Sequence, residues 1–130
     1  MITPFYASLL AFIFVALSVR TLLLRRKLKI GVGTGENHQM LRAMRVHANF
    51  SEYVPFALLL SLMIELLNGL TSLVHFVCIC LVIGRGLHAY GVSQSSENYN
   101  FRVSGMAFTF TSICTSALIL IFLTLFISPQ

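Results

Sequence analysis

Three features of the sequence predict an all-α protein, an integral membrane bundle of four helices. Hydrophobic residues make up 57% of the 130-residue chain and charged residues only 10%, against about a quarter charged in a soluble domain. The apolar residues gather into four runs, near residues 4–24, 41–67, 70–92 and 103–127, each long enough for the ~20 residues that a helix needs to cross a bilayer. All nine basic residues fall at the run ends that share one membrane face if the chain passes up and down. By the positive-inside rule that face is cytoplasmic, which puts both termini on the other side. So little chain lies between the runs that residues 1–130 read as a single domain, with any chemistry among the helices. The apolar spans exclude a nucleic-acid partner, which a net charge of +5 would otherwise invite.

The first run could be mistaken for a signal peptide, but it has no basic residues ahead of it and five in its last turns and beyond, from Arg20 to Lys29. That order predicts a retained helix with its N-terminus outside. Residues 28–37, with Gly31, Gly33 and Gly35, form a flexible connector. No strand precedes these glycines, so they do not make a phosphate loop.

The second run differs from the others. On a helix, Arg42, Arg45, Asn49 and Glu52 fall within an arc of roughly 80°, with Tyr53 at its edge. From Arg42 to Glu52 this polar stripe rises ~15 Å, about half the hydrocarbon thickness. Charged groups at that depth cost at least ~2.5 kcal/mol each and point into a bundle or a wet cavity. Four helices alone make thin walls for such a stripe, so self-association is expected. Pro55 removes one backbone hydrogen bond just above Glu52 and should kink the helix. His47 lies on another face, where packing or hydrogen bonding is its ordinary use. Glu65, near the outer end, is expected to snorkel to the interface.

Asn68 and Gly69 close the hairpin into the third run, where His75 falls near the membrane surface. Late in this run, Arg85 and His88 are neighbours on one face, and Gly84 and Gly86 permit a close helix approach. Residues 93–101 form a second polar loop. Arg102 then opens the fourth run, with Ser104 and Gly105 behind it. Cys78, Cys80 and Cys114 lie within apolar runs, so they supply neither a disulfide framework nor a metal set.

Arg45, Arg85 and Arg102 thus lie on three helices at one depth, with Asn49 and Glu52 between them. Two readings fit this chemistry. One is an anion site, since arginine's planar fork suits carboxylates. The other is an internal Glu52–arginine ion pair, with the remaining arginines reaching lipid headgroups.

The pattern Arg45-x-x-x-Asn49-x-x-Glu52-Tyr53-x-Pro55 resembles the second-helix signature of the membrane-associated proteins in eicosanoid and glutathione metabolism, the MAPEG family. Arg85, His88 and Arg102 stand in the matching later segments, and the GRxxHxYG-like stretch at residues 84–91 resembles the bacterial branch. The resemblance covers nearly the whole chain. It implies a homotrimer in a bacterial inner membrane, with glutathione bound between subunits as co-substrate. It further implies that Arg45, Asn49, Glu52, Tyr53, Arg85 and His88 bind glutathione and that Arg102 stabilises its thiolate, the nucleophile in attack on a hydrophobic electrophile or lipid. A non-catalytic lipid- or glutathione-binding scaffold is the alternative that the family also offers. One departure bears on that choice: Val92 stands where the family's enzymes carry a tyrosine, and Tyr90 is offset by two residues.

Overall fold

The computed structural model describes residues 1–94 and 98–126, and four helices carry nearly all of them: α1 (Thr3–Leu28), α2 (His38–Leu66), α3 (Thr71–Ser93) and α4 (Tyr99–Phe126). The expected end of the fourth run at Ile127, and residues 95–97 of the second loop, lie outside the described residues. Each helix is long and apolar enough to cross a membrane. The all-α bundle that the composition predicts is the fold.

The helix ends differ from expectation for local reasons. α1 continues one turn past its apolar run because Arg25, Arg26 and Lys27 in the last turn suit the negative end of the helix dipole. Lys29 then turns left-handed at φ 55°, and the Ile30 N–H closes on the Arg25 carbonyl at 3.0 Å. The Asn37 side chain caps α2 by accepting from the Met40 N–H at 3.0 Å. α4 begins at Tyr99, within the stretch expected to be loop, because the Asn98 side chain accepts from the Phe101 N–H at 3.4 Å. α2 runs unbroken through Pro55.

Glu65 has a more definite task than snorkelling. Its carboxylate accepts the Ile2 N–H and, at 2.9 Å, the Thr3 N–H, and it lies 3.6 Å from the terminal ammonium of Met1. α1 has no acid in its own first turn. Glu65 therefore supplies from α2 the negative charge that a helix N-terminus favours. Beside it, Gly69 answers a close approach, since a Cβ there would stand 2.5 Å from Ile64 Cγ2.

α3 and α4 are the most closely packed pair, and glycines set their distance. A Cβ on Gly105 would lie 2.5 Å from the His88 nitrogen, and one on Gly84 would lie 2.8 Å from the Gly105 carbonyl oxygen. Gly91 meets the start of α4 in the same way, 2.8 Å from the Arg102 nitrogen. Gly86, expected to share this role, has nothing within 4 Å of its Cβ position and faces outward. Lower in the same seam, the buried Ser112 hydroxyl donates to the Val77 carbonyl at 2.7 Å.

Two apolar clusters fill the bundle. Tyr6, Ile64, Val74, Val77 and Leu120 pack towards the end where α1 begins. Leu10, Phe50, Val54 and Leu81 pack beneath the polar stripe. α1 packs on α2 and α3. Only 11% of its most apolar window is buried, against 44% for α3.

Candidate functional site

The polar stripe of α2 divides into an inner, half-buried part and an open part. Asn49 belongs to the first. Its side-chain oxygen accepts from Arg85 Nη2 at 2.6 Å, and Arg85 is fully buried. The other terminal nitrogen of Arg85 reaches Thr109 Oγ1 at 3.4 Å, and that hydroxyl donates to the Gly105 carbonyl at 2.8 Å. The guanidinium carbon also lies 5.8 Å from the centre of the Phe50 ring. Arg85 Nε has no hydrogen-bond partner among the described residues. Arg85 takes one acceptor position of the Asn49 oxygen and fixes the amide's orientation, and the Asn49 NH₂ group is a donor available to a ligand.

In front of Asn49 lies a cleft of about 230 Å³ lined by Leu41, Arg42, Arg45, Asn49, His88, Val92 and Arg102. Three helices supply this lining, and it is the close α3–α4 seam that brings His88 and Arg102 to the same place. Arg42 is tied down by a 2.8 Å bond to the Gln94 carbonyl. Among the described residues the lining holds three guanidinium groups, an imidazole and an amide. Such a set selects an anion, most strongly one with a carboxylate that accepts two parallel N–H bonds.

Of the residues singled out in the sequence, Arg45, Asn49, His88 and Arg102 come together around this cleft. Arg85 does not line it; the arginine stands behind Asn49 and holds it. Glu52 and Tyr53 lie a turn further along α2. Glu52 is exposed, and the half-buried Tyr53 ring meets Phe110 edge-on at 5.8 Å. No ion pair joins Glu52 to an arginine among the described residues, where the one ion pair is that of Glu65 with the N-terminus. The internal-pair reading therefore has no support among the described residues.

Three lining residues, Leu41, Arg42 and Val92, were not assigned to the site from sequence. Arg42 belongs to the same stripe, and its spacing from Arg45 was the available signal. Val92 now has a location, in the cleft wall, so the departure from the family's tyrosine falls at the site itself. His47 packs elsewhere, stacked on Phe14 with centroids 4.9 Å apart and bonded to the Ser18 hydroxyl at 2.9 Å. No group of three metal-ligating side chains forms among the described residues.

Residues 3–124 match the MAPEG family. The chain is 32% identical over 113 residues to the inner membrane protein YecN of Escherichia coli K12, a match covering 87% of this chain and 85% of that protein. The same identity and coverage hold for the YecN protein of E. coli O6:H1 strain CFT073. No solved structure gives a significant match. The four apolar helices and the inner membrane relatives together make this an integral protein of the inner membrane.

Proposed function

This chain belongs to the MAPEG family, and from that membership we propose that it binds glutathione at the basic cleft and adds its thiolate to hydrophobic electrophiles. One observation carries the proposal: Arg42, Arg45, Asn49 and Arg102, from two helices, line one cleft. Arg42 and Arg45 offer forks to the carboxylates of glutathione, and the Asn49 NH₂ group, aimed by Arg85, donates a further bond. Glu52 is exposed at membrane depth, where an uncompensated charge is costly. A neighbouring copy in a homotrimer would cover it, and its carboxylate suits the glutathione ammonium.

Arg102 acts on the sulfur. A free thiol has a pKa of about 8.5, and an adjacent cation shifts it towards the nucleophilic thiolate. Arg102 lies in the first turn of α4, whose N-terminal end adds positive potential of its own. The thiol proton leaves to water, the thiolate forms a carbon–sulfur bond to the electrophile, and the leaving group departs with the electron pair. The apolar acceptor arrives from the lipid, which the helices face directly.

Ultraviolet absorbance of the bound thiolate, followed against pH in wild type and Arg102→Leu, tests this. The proposal expects the thiolate to form at higher pH in the variant and turnover of a generic aryl halide to fall, while glutathione still binds. An unchanged titration would remove the activating role from Arg102. Val92 in the cleft wall favours a second reading, a scaffold that binds glutathione or lipid without chemistry. Saturable glutathione binding with no thiolate signal and no turnover is what that reading expects.

A further inference from the structure

Arg85 leaves α3 and bridges two other helices. Its Nη2 donates to the Asn49 side chain of α2 at 2.6 Å, and its Nη1 reaches the Thr109 hydroxyl of α4 at 3.4 Å. A planar guanidinium held at one terminal nitrogen can still swing about that bond. Held at both, its rigid fork has one direction. Thr109 is the second of these two fixed points. The Met106 sulfur lies 3.9 Å from the same Nη1, but a thioether is only a weak acceptor. Thr109 is itself held independently of Arg85. It is fully buried, and its single hydroxyl proton goes to the Gly105 carbonyl at 2.8 Å. That bond to the preceding turn selects one of the two rotamers that threonine uses in a helix. With the proton committed, Oγ1 faces Arg85 as an acceptor alone. The room for it exists because position 84 is glycine: a Cβ there would stand 2.8 Å from Thr109 Oγ1 and 2.9 Å from its backbone nitrogen.

We infer that Thr109 is a positioning residue for glutathione: through Arg85 it sets the direction of the Asn49 amide in the cleft. This rests on the glutathione reading above. Thr109 stands behind Arg85, outside the cleft lining, and acts on the ligand only through the two side chains in front of it. Arg102, which acts on the sulfur, lies about two turns away along α4. The effect of Thr109 therefore falls on binding and not on the thiolate. Valine has the shape of threonine without the hydroxyl, so Thr109→Val removes the fixed point and keeps the packing of the seam.

Equilibrium dialysis of glutathione against the detergent-solubilised full chain gives the first readout, and ultraviolet titration of the bound thiolate at saturating glutathione gives the second. Thr109→Val should bind glutathione about fivefold more weakly, the scale of one hydrogen bond, with its thiolate titration unmoved. Thr109→Ser keeps the hydroxyl and should bind as the wild type does. In an Asn49→Ala background, Thr109→Val should weaken binding no further, because the group it aims is gone. Thr109→Ala leaves room for a water beside Arg85 and carries the same expectations if Thr109→Val does not fold. Unchanged affinity in Thr109→Val, or a loss in Thr109→Ser, would overturn the assignment. So would a thiolate titration that moves with the affinity, or an effect that persists without Asn49. Either of these would make Thr109 a plain support of the α3–α4 seam, which carries Arg102 as well. A wild type that binds no glutathione would remove the underlying reading together with this one. A wild type that binds, beside variants that do not differ from it, would remove this assignment alone.

Discussion

Asn49 and Glu52 stand three residues apart on one face of α2, and their surroundings differ completely. Asn49 is backed by a fully buried arginine, a threonine hydroxyl and the glycine seam between α3 and α4. Glu52 is exposed and has no ion-pair partner among the described residues. Arg45 shares its condition, exposed at the rim of the cleft. One chain thus completes the inner part of the stripe and leaves the outer part to something else. The inner part is fixed before any ligand arrives, as preorganised recognition requires. The open part is where ligand and neighbouring copy would meet.

The comparison is broken most severely at its shared frame. Gly105→Leu places side-chain atoms where a Cβ already stands 2.5 Å from the His88 nitrogen and 2.7 Å from the Gly84 carbonyl oxygen. Backbone cannot give way as a side chain can, so the loss should reach ~3 kcal/mol or more. Thermal unfolding in detergent should show a large drop, with cleft and seam lost together.

Arg85→Leu removes the inner part alone. It leaves the Asn49 oxygen without its charged donor, a loss of ~1.5–3 kcal/mol. Both the unfolding temperature and glutathione affinity should fall, because the Asn49 amide is no longer aimed. If Asn49→Leu is added, stability should partly recover while affinity does not. An additive stability loss in the double variant would show that the two side chains do not act as a unit.

His47→Leu sharpens the contrast from the other face of α2. It gives up a 2.9 Å bond to Ser18 and a stacked contact with Phe14, worth ~1 kcal/mol in a typical case. Unfolding should shift slightly and glutathione binding should stay the same. A binding defect would extend the site to a face assigned here to packing.

Much of this arrangement was legible in the sequence, and the illegible part has physical reasons. Spans are legible because a bilayer imposes a length and a polarity on each helix. The α2 stripe is legible because its angular spacing is a property of one helix. The shared depth on three helices grouped Arg45, Arg85 and Arg102, and of these Arg45 and Arg102 line the cleft while Arg85 stands behind it. Which way Arg85 turns is a property of how α3 packs on two neighbours, and no spacing within α3 states it. The choice of Gly84 and Gly91 over Gly86 as the contact face was hidden for the same reason. Gly105, their counterpart, sits among Ser104 and Met106 with nothing local to mark it. Glu65 was misjudged because its partners, the first backbone N–H groups of α1, lie at the far end of the sequence.

The central claim is that the outer part of the stripe serves a ligand rather than the fold. Arg45→Met with Glu52→Leu removes both exposed charges and leaves no orphan. Equilibrium dialysis of glutathione against the detergent-solubilised wild type and this variant measures the claim directly, with thermal unfolding as the check on folding. The wild type should bind saturably, and the variant should remain folded with affinity at least about tenfold weaker, a loss on the scale of one or two charge-assisted hydrogen bonds. A folded variant that binds glutathione as well as the wild type does would contradict it.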